Sequence, residues 1–286
     1  MSDTPLVGVV VLNYNGKDCL PQCLKSLQNL TYQHFFIIVV DNDSTDGSCE
    51  AARREFAQCS FIQLPENIGF APGMNRGITV ALDKGAQFVW LFNNDAETEP
   101  KTLSRLVAVA EQKPQAGLLS PFIVETATEK LWFGKARVNW LRMRVEHVAP
   151  TSEECARVSY PSQCLTGCAL FVSRTLIERI GLLDERFFLY YEDADYSLRA
   201  KEACFQPSVV PAAQVRHAEQ SEENPKKLYF LVLSGLLFFQ KHATFWQRPY
   251  FFVYATIRRL KNRLDIVRGR DAARVVRLAY DDFYHG

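Results

Sequence analysis

The sequence predicts an α/β fold: a mostly parallel central sheet flanked by helices, followed by a C-terminal helical extension. Three observations predict it. Short, wholly apolar runs of strand length at residues 7–12, 35–40 and 89–92 read as strands buried on both faces, as parallel strands are. Each run stops in a cluster of amides, carboxylates or glycine, and stretches of helical period stand between them. The composition, 48% hydrophobic and 23% charged, is that of a soluble globular protein, and 286 residues suffice for one such domain with an addition.

The formal charge of +1 conceals two regions. Residues 224–286 hold 12 Lys/Arg against 4 Asp/Glu, whereas residues 1–223 hold 21 against 28. The chain therefore divides into an acidic domain, 1–223, that carries the candidate site residues, and a basic, aromatic-rich helical tail, 224–286. An acidic domain of that size argues against nucleic acid as a partner. Met1-Ser2-Asp3-Thr4-Pro5 lacks the basic start of an export signal, so the expected location is cytoplasmic. The 8 cysteines form no Cys-x-x-Cys pair and are expected to be reduced and packed as small buried hydrophobes.

Residues 7–12 form the first strand; Asn13-Tyr14-Asn15-Gly16 is a turn, and Leu20, Leu24 and Leu27 keep helical spacing behind it. The second strand, 35–40, ends in Asp41-Asn42-Asp43-Ser44-Thr45-Asp46-Gly47. Short acceptors directly after a parallel strand suit a base or ribose, and Ser44 or Thr45 is placed to cap the following helix. The plainer reading of the same acids is a helix start complementing the dipole. A third, short strand covers 61–64. The stretch from Asn67-Ile68-Gly69 to Gly77 holds three glycines and a proline, which predicts a loop able to approach a ligand, with a helix only from Ile78. It lacks the Gly-Lys-Ser/Thr ending of a Walker loop, and the Asn15-Gly16 turn lacks a dinucleotide fingerprint.

The run Val89-Trp90-Leu91-Phe92 stops in Asn93-Asn94-Asp95, so a lone carboxylate reaches the carboxyl edge of the sheet, where open α/β sheets bind ligands. One carboxylate flanked by amides suits a single oxygen ligand to a hard divalent cation, with phosphate oxygens and water supplying the rest. Pro100 begins a helix with Leu103, Leu106, Val107 and Ala110 on one face. Residues 117–161 start as a strand and continue as an irregular insertion of the kind that carries substrate contacts. A buried strand returns at 166–172, and Gly167 at its start can let an acceptor approach the backbone. An aromatic segment then runs into Glu192-Asp193-Ala194-Asp195. Glu192 and Asp195 face Arg199 at helical spacing and can be spent on it, which leaves Asp193 as the candidate general base. The strand at 209–215 ends in Arg216-His217, whose imidazole could complete the coordination begun by Asp95.

Taken in order, these segments resemble family 2 glycosyltransferases of the GT-A (Rossmann-like) fold, most closely their rhamnosyltransferase-like branch. The resemblance rests on Asn13-Tyr14-Asn15, Asp41 to Gly47, Asn67-Ile68-Gly69-Phe70 with Asn75-Arg76-Gly77, Asn93-Asn94-Asp95, Thr166-Gly167, Glu192 to Asp195 with Arg199, and His217. It covers about residues 7–221. It implies a nucleotide diphosphate sugar donor and a saccharide or lipid-linked acceptor in cell-surface polysaccharide assembly. With it, the candidate site has donor-binding residues Asn13, Tyr14, Asp41, Asn42, Asp43, Asn67, Gly69, Asn75 and Asn94. Asp95 and His217 hold Mg2+ or Mn2+, Asp193 and Glu192 are catalytic, and Gly167 and Tyr191 meet the acceptor. A single displacement with Asp193 as base inverts the anomeric configuration. Two positions depart from the pattern. Asn93-Asn94 stand where many relatives carry further aspartates, which implies a cation held weakly until the donor arrives, and Met74 stands where such loops often have Asn. A nucleotidyltransferase shares the architecture but begins with a Gly-rich basic loop, which Leu12 to Lys17 matches poorly. A binding module that has lost catalysis is at odds with intact Asp95, Asp193 and His217.

The tail reads as an interfacial segment. Residues 228–239 are apolar and aromatic but number only 12, short of the roughly 20 that cross a bilayer. Trp246, Tyr250, Phe251, Phe252 and Tyr254 follow, and then a run of arginines with Lys261. Apolar surface beside clustered cations is expected to dock peripherally on the inner face of an anionic membrane, near a lipid-linked acceptor. The alternative is that these helices pack on the catalytic domain and leave a solvated basic face.

Overall fold

The computed structural model describes residues 4–218 and 225–285, so the expected division between residues 223 and 224 lies outside the described residues. The first half is a wound α/β unit. Strands β1 (Val7–Asn13), β2 (Phe35–Asp41), β3 (Ser60–Gln63) and β4 (Phe88–Asn93) alternate with helices α1 (Leu20–Gln28), α2 (Ser48–Glu55) and α3 (Phe70–Asp83). The strands pair in parallel in the order β4-β1-β2-β3. Every residue of β1 is buried, as a strand covered by helices on both faces must be. The registers Asn13↔Asp41 and Leu12↔Asn93 bring the polar ends of β1, β2 and β4 to one edge.

The second half widens the sheet. It comprises β5 (Ala96–Thr98), α4 (Thr102–Gln112), β6 (Leu118–Glu125), β7 (Leu131–Phe133), β8 (Ala136–Asn139), β9 (Arg144–His147), α5 (Ser152–Cys155) and β10 (Tyr160–Pro161). Then come β11 (Ala169–Ser173), α6 (Arg174–Ile180), α7 (Glu192–Glu202) and β12 (Ser208–His217). The full order is β10-β12-β6-β11-β4-β1-β2-β3, with β11 antiparallel to both neighbours and β6 parallel to β12. An antiparallel β11 begins where β4 ends, so Gly167 and Cys168 arrive beside Asn93, whose N–H donates to the Cys168 carbonyl at 2.9 Å.

Several expectations need correction. The glycine-rich stretch after residue 69 is helical from Phe70, not a loop. Gly73 and Gly77 stand one turn apart against β1, where an added Cβ would lie 2.6 Å from Leu12 Cδ1 and 2.2 Å from Val10 Cγ1 respectively. These glycines serve helix-on-sheet approach, and Pro72 is tolerated in the first turn, where backbone N–H groups lack helical partners. Neither Ser44 nor Thr45 caps α2: Gly47, with φ 77°, takes that position, and Ser44 Oγ binds Asp41 instead. The insertion contains an ordered β8–β9 hairpin. No disulfide joins the cysteines, and Cys155 and Cys204 are exposed rather than buried.

Three helices close the chain: α8 (Pro225–His242), α9 (Gln247–Val267) and α10 (Asp271–His285). The apolar run predicted as surface-seeking belongs to α8 and is largely consumed by packing on the α/β unit that precedes it. Phe238 and Phe239 are buried against Tyr191, at ring separations of 5.2 and 6.2 Å, and Phe230 stacks on Phe188 at 4.3 Å. Among the described residues, no helix is long and apolar enough to cross a membrane.

Candidate active site

The loops after β1 and β2 are fastened by one buried polar network. Asn13 Nδ2 donates to Asp41 Oδ1 at 2.8 Å and to Ser48 Oγ at 2.9 Å; the Asp41 carboxylate also accepts from Ser44 Oγ and from Gln63 Nε2, both at 2.6 Å. Asn94 Nδ2 donates to Asn13 Oδ1 at 3.0 Å, which ties the end of β4 into the same network. Asn13 and Asp41 are wholly buried and saturated with partners, so they hold the loops, while Tyr14 and Asp43 stand exposed on them. Asn42 Nδ2 reaches Asn67 Oδ1 at 2.9 Å and the Gly69 carbonyl at 3.1 Å. Gly69 has φ 95°, and an added Cβ would lie 2.6 Å from the Phe188 carbonyl, so only glycine fits this crossing. Asn75 is placed apart from these loops. Its side chain bridges the backbone of Leu183, 2.9 Å to O and 3.1 Å from N, and touches Glu185 at 3.0 Å.

Asp95 and His217 are brought together by β5 pairing antiparallel with the end of β12, with Ala96 opposite His217. Asp95 Oδ1 and His217 Nε2 are 3.1 Å apart. That contact lacks hydrogen-bond geometry, for Asp95 Oδ1 and both ring nitrogens of His217 are buried without a hydrogen-bond partner. Asn93 Oδ1, nearby in sequence, is orphaned in the same way. Unpaired buried acceptors at a ligand-binding edge are costly unless something binds them. An oxygen and an imidazole fit a divalent cation that takes its other ligands from phosphate and water. Among the described residues no cluster of three or more His, Cys, Asp or Glu side chains could hold a metal unaided.

The acid cluster opens α7. Asp195, fully buried, is the acid that Arg199 takes, at 2.8 Å; Lys241 at 2.5 Å and His242 at 2.7 Å reach it from α8. Burial would raise its carboxyl, but hydrogen bonds from His242 and Lys241 and the Arg199 charge hold it below its ordinary value. Glu192 does not pair with Arg199, contrary to its spacing. The Arg199 NH1 and NH2 groups each donate at 2.8 Å to the carbonyls of Ile180 and Leu182, and Glu192 Oε2 is left buried without a partner. Burial, reinforced by the charge of Asp193, pushes the Glu192 carboxyl well above its ordinary value. Asp193 makes no ion pair among the described residues. Its Oδ2 accepts from the Gly167 N–H at 2.8 Å and its Oδ1 from the Ala194 N–H at 2.7 Å. Burial raises its carboxyl, partly offset by those two N–H donors and the nearby His147. Gly167 thus positions Asp193, and Tyr190 and Tyr191, both at φ 69°, form the tight left-handed entry that turns the acids inward.

Residues from the insertion, which periodicity could not place, complete the walls. The Trp132 ring lies 5.3 Å from His217 and 4.9 Å from His147, so one indole connects the Asp95 side with the Asp193 side. Gln63, Ser48, Trp132 and His147 were not legible as site residues. Each lacks a local motif and is recruited only by the fold.

The parallel β4-β1-β2-β3 unit, widened by an antiparallel β11 beside β4, is the architecture of the GT-A class. Residues 8–181 match the family model for Glycosyl transferase family 2, and the chain belongs to that family. It is 26% identical over 305 residues to an N-acetylglucosaminyl-diphospho-decaprenol L-rhamnosyltransferase of Mycobacterium tuberculosis (strain ATCC 25618 / H37Rv), a match covering 93% of this chain and 99% of that protein. A dTDP-rhamnosyl transferase RfbF of Shigella flexneri is 22% identical over 245 residues, covering 82% and 79% of the two chains. Among solved structures, GalNAc-T7 with UDP, GalNAc and Mn2+ matches with a TM-score of 0.66 at 16% identity, over 80% of this chain and 48% of that one. S. aureus TarS 1-349 in complex with UDP matches with a TM-score of 0.56 at 16% identity, over 98% and 92%. At such identities these structures establish the fold.

Proposed function

We propose that this glycosyltransferase moves a sugar, rhamnose in the first instance, from a nucleoside diphosphate to a lipid-linked saccharide, with inversion at the anomeric carbon. The observation that carries the reading is the division of labour in the acid cluster: Asp195 is gripped by Arg199 and Lys241, while Asp193 makes no ion pair among the described residues and is aimed by the Gly167 N–H beside the end of β4. The rhamnosyltransferases named above support the choice of sugar and acceptor.

In this reading the nucleoside lies on the loops that carry Tyr14 and Asp43, kept rigid by the Asn13–Asp41 and Asn42–Asn67 networks. The diphosphate reaches Asn94 and Asp95. Asp95 and His217 are the residues that would hold Mg2+ or Mn2+, whose chemistry when bound is to neutralise charge on the leaving diphosphate. Asp193 takes the proton of the acceptor hydroxyl as that oxygen bonds to the anomeric carbon. The carbon–oxygen bond to the diphosphate breaks on the opposite face, and the nucleoside diphosphate departs. Tyr191 lines the acceptor side.

The test is a screen of nucleotide sugars with a lipid-linked acceptor, followed by product analysis. Release of nucleoside diphosphate with extension of the acceptor supports the reading; pyrophosphate would mean nucleotidyl transfer, and neither product would mean a binding module. Asp95→Ala and His217→Ala are expected to weaken metal-dependent binding of the nucleoside diphosphate in calorimetry. An unchanged Mn2+ dependence in both variants rejects the shared site.

A further inference from the structure

The tail contains two kinds of surface, and only one is spent on the fold. Helix α9 buries Phe251, Ala255 and Asn262, with Asn262 Nδ2 donating to the Ala273 carbonyl of α10 at 2.9 Å. Its opposite face carries Tyr250, Val253, Ile257, Leu260, Leu264 and Val267, with intervals alternating between three and four residues. That spacing draws one continuous stripe along a helix. The stripe is open to solvent: Ile257 is 59% exposed, Leu264 58% and Val267 85%. Trp246, at the start of the helix, is 84% exposed. From Tyr250 to Val267 the stripe runs about 26 Å along the helix, a continuous apolar strip rather than the scattered apolar surface a protein normally leaves wet.

The same periodicity would suit a two-stranded coiled coil, so the flanking charges decide the occupant. The positions bordering the stripe hold Lys261, Arg263 and Arg268, all exposed and without an ion pair among the described residues. A second copy of this helix would set cation against cation along both borders, whether parallel or antiparallel. An anionic surface meets the same cations with attraction. The stripe also continues onto the catalytic domain. Tyr250 and Tyr254 donate to the carbonyls of Leu141 and Arg142 at 2.7 and 2.9 Å, and Leu141, 75% exposed, forms the tip of the β8–β9 hairpin. The Val145 backbone of that hairpin lies beside the Tyr191 hydroxyl, on the proposed acceptor side.

We propose that the outward face of α9, continued by Leu141, lies in the headgroup layer of an anionic lipid bilayer, with α8 as the strut that fixes its orientation to the active site. The docking is read from the surface alone. Only its purpose, delivery of a lipid-linked acceptor past the hairpin, rests on the function proposed above.

The experiment is flotation of the full chain with vesicles of phosphatidylcholine, alone or mixed with phosphatidylglycerol, over a range of salt. Binding to the mixed vesicles, weakening as salt rises, is expected. The combined Ile257→Glu, Leu260→Glu and Leu264→Glu variant is expected to stay in the pellet at unchanged melting temperature. The combined Lys261→Gln, Arg263→Gln and Arg268→Gln variant should lose affinity on the order of a hundredfold. Failure of the parent chain to float, or flotation of the Glu variant like the parent, overturns the proposal. So does a dimer in sedimentation that the Glu variant dissolves. Sugar transfer to a water-soluble acceptor is expected to survive in both variants. Its absence from the parent chain, with flotation intact, would count against the enzymatic reading and leave the docking face standing.

Discussion

Three acids within four residues receive three different fates here, and side-chain surroundings decide each. Asp195 is a structural anion, Glu192 a buried carboxyl pushed up by burial, and Asp193 a partly buried carboxylate held by two backbone N–H groups. Asp193→Asn is expected to cut kcat by roughly 10²–10⁴-fold while donor affinity stays within a few fold, because a base acts in the transition state. Near-normal turnover by that variant would remove Asp193 from the role. The pH profile follows from the same group. Burial raises its carboxyl, the base must be unprotonated, and activity is therefore expected to fall as pH drops through a value above the ordinary aspartate range. A profile of kcat/KM with its acid limb at an unshifted value contradicts this. That Arg199 pairs with Asp195 and not with Asp193 was legible from spacing; the fate of Glu192 was not. Spacing put Glu192 within reach of Arg199, but the guanidinium is turned toward the Ile180 and Leu182 carbonyls by a segment that no local pattern specifies.

Among the elements, strands were easier to read than glycines. Buried parallel strands announce themselves as unbroken apolar runs, and β1, β2 and β4 fall within a residue or two of where the runs lie. Helix α3 was half missed because Gly73 and Gly77 lower local helix preference while tertiary contact demands them. Gly77→Ala sets these effects against each other. Propensity alone favours alanine by about 1 kcal/mol. A methyl group 2.2 Å from Val10 Cγ1 is an overpacking cost of about 1–3 kcal/mol. A net loss is expected in urea denaturation because the neighbouring sheet cannot give way, and a gain in stability would show that α3 can lift off β1. The insertion was the least legible element. Trp132 and His147 act across short strands whose pairing is set by distant partners.

At the scale of the whole molecule, the tail is pinned by charge to the domain before it. Lys241 and His242 of α8 converge on Asp195, and Lys241 also meets Asp184 at 2.8 Å. Asp195→Asn leaves Arg199 and Lys241 facing a neutral amide in a buried site, a loss on the order of 3–5 kcal/mol that chemical denaturation should register. Equal stability of the variant and the parent would mean that the cluster is not a clamp. The pH dependence has a definite sign. Because the Asp195 carboxyl is held low in the folded state, its contribution is complete above the unfolded value of about 3.9 and is lost as pH falls through the lower folded value. The charge asymmetry of the sequence thus had a partner within the chain, which composition could not reveal: basic α8 residues neutralise an acid of the domain before them.

That arrangement also sets a schedule for synthesis. The polypeptide leaves the ribosome with the loops of β1 and β2 complete long before residues 241 and 242 appear, so Asp195 waits without two of its three side-chain partners while most of the sheet is already made. A chain truncated after residue 240 is expected to retain nucleoside diphosphate yet transfer no sugar, and activity is expected to return when residues 241 and 242 are restored. Transfer by the truncated chain would disprove this.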